Sequence, residues 1–384
     1  MNKVVPSYYF EKNDNFKFSL SGYEYKEVYI FLCGQNGFWF ILKNKNLGLL
    51  NEIYTGKALS SSAVKLKKKL LAMPISPPMK IFELKDYKIN EIQIEEQNSN
   101  KLELLFEKQF SIRSFFSKSC SVGIMFFKSL ENVLFVISLS KQYCFDNVFG
   151  EFDISFFKKN RVLSQQINQL TSIHIHNIDL EKDEKIIRNV RKQYFGELIL
   201  HLSDYSLIEK YIDFCLKINS YLVFEYADNF DYLLEYENYV KNNQKKWKFN
   251  ILKYSRIDIY KKQVSMNQYV SNCNMGYNEI YVDHKMNLYA CRDCKLLKYS
   301  VIGNLSTDSL LELWQNSLLL KEMRLLNVQM FEKCSLCDFR YLCGGQCRLK
   351  AYKYYKSIVK PVPYCEDIKQ IILDTIYIKY QCIS

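Results

Sequence analysis

Glycine and proline are scarce in this sequence, and long hydrophobic runs are missing. The 384 residues include 12 glycines and 6 prolines, which argues against long flexible linkers. No window approaches the roughly 20 apolar residues of a membrane span, and the N-terminal stretch M-N-K-V-V-P-S-Y-Y-F lacks the apolar core of a signal peptide. Internal repeats and low-complexity tracts are also missing. These absences predict a cytoplasmic protein that has no membrane segment and no membrane partner.

The composition is that of a globular protein with an excess of positive charge. Hydrophobic residues make up 48% and charged residues 24%, so we expect a substantial core and two or three domains. The net charge is +12, and the lysines behind it are spread over the whole length. This charge predicts an anionic partner, although a lysine-rich solvated surface explains it equally well.

The first 105 residues are predicted to form a small α+β module. Two apolar runs, 28–33 and 38–42, flank an Asn-Gly pair and predict a β-hairpin. Helical patterns follow at 47–54, which stops at a glycine, and at 60–73, which ends before a proline. Strands followed by small helices resemble the winged-helix module that binds leader peptides in peptide-maturation systems. An ordinary small α+β domain is the alternative.

Residues 106–262 alternate between strand and helix patterns. Strands are predicted at 133–139, 172–176, 197–202, 221–226 and 247–252, and helices at 180–193, 207–218 and 232–242. Such alternation indicates parallel βα units. Four or five units are enough only for a partial barrel or an open sheet.

Two further patterns have both a structural and a functional interpretation. His174 and His176 lie on one face of their predicted strand, a spacing that some metal sites use, but no carboxylate or third histidine is evident in register. A half-buried polar face is therefore favoured. Lys350 to Lys360 interleaves lysines with tyrosines, which suits nucleic acid. A helix that packs its tyrosines and solvates its lysines is nevertheless favoured.

Cysteine is abundant, with 13 residues, and four of them lie within a stretch of 14. The stretch from Cys334 to Cys347 reads C-S-L-C-D-F-R-Y-L-C-G-G-Q-C, with spacings of two, five and three residues. Since the cytoplasm keeps thiols reduced, metal binding explains these cysteines better than disulfides do. Zinc, iron-sulfur clusters and unmetallated thiols all stay open from spacing alone, although zinc modules usually pair two close C-x2-C knuckles.

The region before this stretch also has a regular local pattern. A hairpin is predicted at 280–290, ending at Cys291, and I-G-N-L at 302–305 leads into a helix. Ser309 and Glu312 are placed as a capping box of that helix. Short loops let neighbouring thiols converge, and longer gaps fold distant thiols onto the same centre.

This ordered pattern resembles the SPASM domain, the C-terminal extension of radical SAM peptide maturases that carries two auxiliary iron-sulfur clusters. The matching positions are Cys273, Cys291, Ile302 to Leu305, Trp314, Cys334, Cys337, Cys343, Cys347 and Cys365. The resemblance implies that one 4Fe–4S cluster is held by Cys334, Cys337, Cys343 and Cys365. It also implies that the other cluster takes Cys273, Cys291 and Cys347.

Two departures from the SPASM pattern bear on this second cluster. Met286 stands where the hairpin of the family has glycine, so the turn is expected to form differently, at 285–287. No cysteine lies shortly after Cys273, where some members supply the fourth ligand. We expect Cys294, in C-R-D-C, to complete that cluster.

The catalytic motif of radical SAM enzymes, C-x3-C-x2-C, is missing from the sequence. The three thiolates of that motif leave one iron free to bind and cleave S-adenosylmethionine. Cys144 follows the predicted strand 133–139 where the motif would lie, but Val148 and Glu151 occupy the partner positions. The resemblance therefore implies a degenerate barrel without an S-adenosylmethionine cluster. Such chains occur as the grasp-with-spasm maturases, encoded beside an ATP-grasp ligase, and as related pseudo-radical-SAM families.

These features predict an α/β protein with an N-terminal α+β module at 1–105, a degenerate partial radical-SAM-like (βα) barrel at 106–262 and a SPASM domain at 263–384. Its expected role is to bind a ribosomal precursor peptide and present it to a partner such as an ATP-grasp ligase, with two auxiliary 4Fe–4S clusters serving structure or electron transfer. Whether it catalyses a step stays open. The alternatives are a zinc-stabilised nucleic-acid-binding protein and an iron-sulfur electron-transfer protein.

Overall fold

The computed structural model describes residues 4–14, 19–56, 59–72, 88–112, 114, 116–202, 208–224, 273 and 275–383. The chain forms two compact units, and neither is continuous in sequence. Unit one contains residues 1–82, 264–274 and 325–384, and unit two contains residues 83–263 and 275–324. No helix within the described ranges is long and apolar enough to cross a membrane.

Unit one begins with an antiparallel sheet of four strands that follow one another in chain order. The strands are β1 (Tyr8–Phe10), β2 (Leu20–Tyr25), β3 (Val28–Cys33) and β4 (Phe38–Lys43). The predicted hairpin is confirmed as β3 and β4. In its turn Gly37 has a φ of 73°, and the Asn36 side chain accepts a hydrogen bond from the Phe38 N–H at 2.9 Å. The Asn-Gly pair therefore sets the turn, as both residue types favour.

Two helices pack against this sheet, at α1 (Leu47–Thr55) and α2 (Ser61–Leu71). Helix α1 ends at Gly56 in the left-handed conformation, and the Ser60 hydroxyl caps α2 by accepting from the Ala63 N–H at 3.2 Å. Both predicted helices are thus confirmed. The winged-helix resemblance of the module stays a prediction.

Unit two is built on a nine-stranded sheet with the order β10-β9-β8-β7-β6-β5-β11-β12-β13. Its strands are β5 (Ile89–Glu95), β6 (Phe116–Met125), β7 (Asn147–Asp153), β8 (Ser172–His176), β9 (Glu197–Leu202), β10 (Tyr221–Phe224), β11 (Glu279–Val282), β12 (Asn287–Tyr289) and β13 (Gly303–Asn304). Strands β5 to β11 pair in parallel, and β12 and β13 pair antiparallel. Because β5 to β10 lie side by side in chain order, right-handed crossovers place their helices on one face, as in a (βα) barrel. The predicted parallel βα arrangement is confirmed.

The helices of unit two connect these strands and follow the hairpin. They are α3 (Ser99–Leu104), a π-helical turn (Leu105–Phe110), α4 (Leu130–Gln142), α5 (Ile154–Lys159), α6 (Leu180–Gln193), α7 (Ile208–Ile218), α8 (Arg292–Leu296), α9 (Leu310–Asn316) and α10 (Leu318–Leu325). Unit one adds three C-terminal helices, α11 (Arg340–Cys343), α12 (Arg348–Tyr355) and α13 (Cys365–Ile383). The predicted cap of α9 is confirmed, since Ser309 accepts a hydrogen bond from the Glu312 N–H.

Some predicted elements differ from the structure or lie beyond the part it describes. Residues 133–139, predicted as a strand, belong to α4, whose N-terminus is capped by the Ser129 hydroxyl. A short apolar run fits a buried helix as well as a buried strand, so hydrophobicity could not decide. Strand β5 lies within residues 1–105, which were predicted to form the N-terminal module, but it pairs with β6 in the large sheet of unit two. The predicted helix 232–242 and strand 247–252 lie outside the described residues.

The parallel sheet has one apolar face and one polar face. Residues paired across the strands share a face, and one such row is apolar: Ile94, Ile124, Gly150, Ile173 and Leu198. The adjacent row, displaced by one residue, points to the opposite face and is largely polar: Glu95, Met125, Glu151, His174 and Ile199. Polar groups are therefore gathered on the face away from the crossover helices, where a (βα) barrel has its interior.

Candidate metal centre

The first half of the cysteine stretch is a tight C-x2-C turn in unit one. Lys333 has a φ of 61° and is followed by a 3-10 turn at Cys334–Leu336. The Cys337 N–H donates to the Cys334 carbonyl at 3.0 Å, which closes the turn. A turn this short keeps both cysteines close in the chain, as ligands of one centre require.

The second half of the stretch reverses direction at three consecutive residues in the left-handed region. Helix α11 ends at Cys343. Gly344, Gly345 and Gln346 follow with φ angles of 60°, 76° and 59°. A β-carbon at Gly345 would lie 2.6 Å from the Phe331 ring, so glycine is required there. The buried Gln346 side chain donates to the Cys343 carbonyl at 2.9 Å and thereby fixes the turn that leads to the last cysteine.

Four thiols of unit one act on one another. Burial, followed by the thiols of Cys365 and Cys337, raises the pKa of Cys343 to about 12. Burial raises the pKa of Cys337 to about 11, with Cys365 adding to the effect. Burial also raises the pKa of Cys334, with a contribution from Cys337, and that of Cys365, with a contribution from Cys334. As free thiols these groups hold their protons, and metal binding would release them.

This arrangement fits the donor set of an iron-sulfur cluster. Each thiolate of a 4Fe–4S cluster binds its own iron, so the four sulfurs surround the cluster and do not meet at one ion. Among the residues that the structure describes, no three His, Cys, Asp or Glu side chains are close enough together to hold a single metal ion. The four cysteines predicted for the first cluster, Cys334, Cys337, Cys343 and Cys365, all lie in unit one. Their role as ligands stays a prediction.

The N-terminal sheet packs directly on the C-x2-C turn within unit one. A β-carbon on Gly34, in the turn between β3 and β4, would lie 2.7 Å from the Asp338 carboxylate. The Tyr23 hydroxyl donates to that carboxylate at 2.9 Å, and its ring lies 5.0 Å from the ring of Phe339. Asp338 directly follows the second cysteine of the turn. The N-terminal sheet therefore helps to hold the turn in place, a contact that no sequence pattern indicates.

The hairpin of unit two turns at 285–287, as predicted. Met286 has a φ of 68° and is fully buried. The Asp283 carboxylate accepts hydrogen bonds from the Lys285 and Asn287 N–H groups at 2.8 and 2.9 Å. These side-chain hydrogen bonds and the burial of the methionine hold a non-glycine residue in the left-handed region.

A second C-x2-C pair follows this hairpin. Cys291 is the N-cap residue of α8, and Cys294 lies within the helix. Both are buried, their sulfurs are 3.6 Å apart, and the hydrogen bond between them, followed by burial, raises the pKa of Cys291. The two thiols are therefore neighbours, and their role as ligands stays a prediction. Cys273 and Cys347, predicted for the same cluster, belong to unit one, and the full set of four stays a prediction.

Replacement of Cys294 by alanine tests its assignment as the fourth ligand. We expect the variant to lose up to one cluster, about four iron atoms per chain, because the remaining thiols leave one iron without a protein ligand. Iron and acid-labile sulfide are measured on protein purified without oxygen. Cys215→Ala is the matched control, since Cys215 is a buried cysteine in α7. A Cys294→Ala protein with full iron content rules the assignment out.

A histidine cluster lies on the polar face of the sheet, and the sequence pattern indicates only half of it. His174 Nδ1 lies 3.0 Å from His201 Nε2, and the rings of His176 and His201 stack with centroids 3.8 Å apart. The Glu151 carboxylate lies 3.3 Å from His176 Nε2 and 2.6 Å from Arg292 Nη1. The expectation that no third histidine or carboxylate joins the pair is therefore wrong.

The two residues that were missed come from neighbouring strands. His201 lies in β9, which was predicted as a strand. That β9 lies beside β8 depends on the strand order, which the sequence does not give. Glu151 lies in β7, where it is the register partner of His174, and was treated as part of a motif loop. The available signal in the sequence was the alternation of Gly150 and Phe152 with the acidic residues Glu151 and Asp153, a period of two that is typical of a strand.

The electrostatics of the cluster are those of a buried site. Burial, followed by the neighbouring His176 and His174, lowers the pKa of His201 to about 2. Burial alone would raise the pKa of Glu151, but its hydrogen bond with His176 and the charge of Arg292 lower it well below the usual value. The face therefore holds an imidazole that stays neutral and a carboxylate that stays ionised near neutral pH. Both are weak bases with such low pKa values, so they are suited to accept hydrogen bonds and not to take up protons.

Acid is expected to destabilise unit two because His201 stays neutral in the folded chain. A histidine of the unfolded chain takes up a proton near pH 6.5, so below that pH the unfolded state binds more protons. Stability then falls by up to about 1.4 kcal/mol for each pH unit. Urea unfolding between about pH 7.5 and 5 measures the slope. We expect His201→Gln to flatten it and His284→Gln, at an exposed side chain, to leave it steep. Equal slopes in the two variants contradict this account.

Comparison with known proteins supports the fold and identifies an iron-sulfur domain in the chain. Residues 273–338 match the SPASM family, described as an iron-sulfur cluster-binding domain. The crystal structure of Streptococcus suis SuiB bound to S-adenosylmethionine is similar to this chain with a TM-score of 0.52 and 11% identity, covering 89% of this chain and 98% of SuiB. A second SuiB structure gives a TM-score of 0.50 and 11% identity, covering 90% and 98%. A third, bound to the precursor peptide SuiA, gives 0.49 and 11%, covering 88% and 97%.

No protein of curated function matches the chain in sequence. At 11% identity the likeness to SuiB shows the fold alone. The chain therefore carries a C-terminal SPASM iron-sulfur domain on an α/β fold whose parallel sheet resembles that of SuiB. The predicted SPASM resemblance and fold class are confirmed.

Proposed function

We propose that this protein acts in the maturation of a ribosomally synthesised peptide, where it binds the precursor peptide and presents it to a modifying enzyme such as an ATP-grasp ligase. The observation that carries the proposal is the SPASM segment, together with the thiols of unit one, whose charges act on one another. The fold adds support, because SuiB shares it over 98% of its length. SuiB itself is described with S-adenosylmethionine and, in another crystal, with the precursor peptide SuiA.

In this proposal eight cysteines hold two 4Fe–4S clusters. One set is Cys334, Cys337, Cys343 and Cys365, and the other is Cys273, Cys291, Cys294 and Cys347. Bound clusters supply one-electron redox centres and crosslink the segments that carry their ligands. The sequence contains no C-x3-C-x2-C, so the proposal assigns no cleavage of S-adenosylmethionine to this chain. The cytoplasm, which keeps thiols reduced, is the compartment that suits these cysteines.

Binding of the precursor peptide encoded beside the gene tests the proposed role. The full chain, purified without oxygen, is titrated against the labelled peptide, and fluorescence anisotropy reports the complex. We expect the labelled peptide to bind saturably. An unlabelled peptide with the same composition in scrambled order is expected not to displace it. An iron-loaded protein that binds the native and the scrambled peptide equally weakly contradicts the proposal.

A zinc-stabilised nucleic-acid-binding protein is the second candidate, because α12 presents aromatic and basic side chains together. Tyr354 and Tyr355 are 46% and 45% exposed, and the amines of Lys353 and Lys360 lie 5.7 and 5.9 Å from their ring centroids. The predicted helix is confirmed, but the expectation that these two tyrosines are packed is wrong. Exposed rings next to lysines suit stacking on bases.

Nucleic-acid binding and redox behaviour separate the alternatives. If the second candidate is right, Tyr354→Ala with Tyr355→Ala weakens binding to single-stranded RNA or DNA, and the bound metal is zinc without sulfide. An iron-sulfur electron-transfer protein is the third candidate. Its clusters would be reversibly oxidised and reduced by a partner protein, and it would not bind the precursor peptide.

A further inference from the structure

Arg348, which directly follows Cys347, is fully buried in unit one. Its Nε donates to the Gln346 carbonyl at 3.2 Å, and its Nη1 donates to the carbonyls of Ile358 and Lys360 at 3.1 and 2.9 Å. Its Nη2 is buried and has no hydrogen-bond partner among the described residues. The guanidinium also lies 4.2 Å from the centre of the Phe331 ring.

A buried guanidinium needs a negative charge nearby. The guanidinium is positive at every ordinary pH, and its removal from water is costly unless an anion offsets it. Carbonyl groups satisfy three of its hydrogen bonds but carry no net charge. No carboxylate among the described residues forms an ion pair with it.

Cysteines are the nearest source of negative charge. Cys347 directly precedes Arg348, and Gln346, whose carbonyl accepts from Arg348, places its side-chain Nε2 3.8 Å from the Cys343 sulfur. Four cysteines act on the guanidinium as thiolates: Cys273, Cys334, Cys343 and Cys347. Two of these cysteines are assigned to each proposed cluster. Free thiols are neutral at physiological pH, so the arginine gains its counter-charge only when the cysteines are deprotonated by bound metal.

We propose that Arg348 is the built-in counter-charge of the iron-sulfur centre in unit one, and that it raises the reduction potential of the cluster held there. The inference rests on the proposed function, since it requires a bound cluster. Net charge and hydrogen bonds to the sulfurs are among the properties that set cluster potentials. Reduction adds one electron, and so one negative charge, with no bond broken. A fixed positive charge beside a bound cluster would favour the reduced state, and Nη2 has a hydrogen-bond donor left over.

The test compares two substitutions of Arg348 in the full chain, loaded with iron and sulfide under anaerobic conditions. Arg348→Gln removes the charge, whereas Arg348→Lys keeps it without the guanidinium fork. Dithionite supplies the electron, and the midpoint potential is read by redox titration with optical and spin-resonance detection. At the wild-type midpoint we expect the ratio of reduced to oxidised cluster in Arg348→Gln to fall at least ten-fold, which corresponds to about 59 mV for one electron. Arg348→Lys is expected to recover most of this shift.

Arg324 supplies a matched control in unit two. It too is a buried arginine, with hydrogen bonds to the carbonyls of Gly276 and Trp314 at 2.7 and 2.8 Å and a position 4.4 Å from an indole ring. We expect Arg324→Gln to lower stability without moving the potential. An equal shift in the two glutamine variants, or an unchanged potential in an iron-loaded Arg348→Gln protein, overturns the inference.

Loss of the cluster in a variant is also decisive. If Arg348→Gln loses iron and Arg348→Lys retains it, the charge is what the site requires, and the inference stands. If both lose iron equally, the fork that binds residues 358 and 360 is what matters, and the inference falls. A wild-type protein without iron and sulfide contradicts the proposed function itself, and the inference falls with it.

Discussion

Replacement of Cys343 by serine is expected to remove one whole cluster, about four iron atoms, from each chain. The reason is that the Cys343 thiol shares its surroundings with two other predicted ligands: burial, followed by the charges of Cys365 and Cys337, raises its pKa to about 12. A serine hydroxyl in the same place is a far weaker ligand for iron, and the next cysteine, Cys347, is assigned to the other cluster. Iron, sulfide and the visible absorption of the anaerobic protein are measured for each variant.

Cys144→Ser is the control for this substitution. Cys144 is an exposed free cysteine that already has a φ of 61°, so serine there changes neither packing nor backbone strain. We expect the control to keep the iron content of the wild type. Equal iron in the Cys343 and Cys144 variants contradicts the assignment of the cluster.

Alanine at Gly345 is expected to cost roughly 2–4 kcal/mol of stability and to weaken cluster retention. Gly345 has a φ of 76°, which an alanine tolerates poorly, and the added β-carbon would approach the Phe331 ring to 2.6 Å. Relief of this overlap must move Phe331 or the turn that positions the last cysteine of the stretch. Urea unfolding and the rate of iron loss to a chelator report the two effects.

Gly48→Ala provides the matched control within the same unit. Gly48 lies in α1, and a β-carbon there meets nothing within 4 Å. Alanine at an exposed helical position is expected to stabilise by about 1 kcal/mol or less. If Gly345→Ala proves as stable as Gly48→Ala, the turn does not have the conformation described above.

Local signals in the sequence predicted the short-range structure well. The Asn36-Gly37 turn, the stop of α1 at Gly56 and the Ser309 cap of α9 each depend on residues within about four positions of one another. The order of cysteines, hairpin and helix in the SPASM segment can likewise be identified directly from the sequence. Such features need no knowledge of the tertiary fold.

Features that depend on strand order or on packing could not be predicted. The run 133–139 became helix α4 because the cap at Ser129 and the surrounding sheet decide its conformation, whereas its apolar composition does not. Glu151 and His201 lie far apart in the chain and join His176 only because β7, β8 and β9 are neighbours. Residues that meet in this way leave no periodic signal.

The burial of polar groups is the second property that escaped prediction. Arg348 has the sequence context of a surface helix, since the lysine- and tyrosine-rich run begins two residues later at Lys350, yet it is fully buried. The contact between Tyr23 and Asp338 joins residues 315 positions apart. The burial of Arg348 follows from packing within the C-terminal segment, and the Tyr23 contact from how the N-terminal sheet and that segment share unit one. Composition and spacing encode neither.

Iron and acid-labile sulfide per chain, measured on protein purified without oxygen and checked by Mössbauer spectroscopy, test the central claim most directly. The account predicts about eight iron and eight sulfide atoms, all in 4Fe–4S clusters, since it assigns two clusters and no S-adenosylmethionine cluster. About twelve iron atoms would reveal a third cluster and contradict the proposed loss of that site. A colourless protein that holds one or two zinc ions and no sulfide would contradict the iron-sulfur assignment altogether.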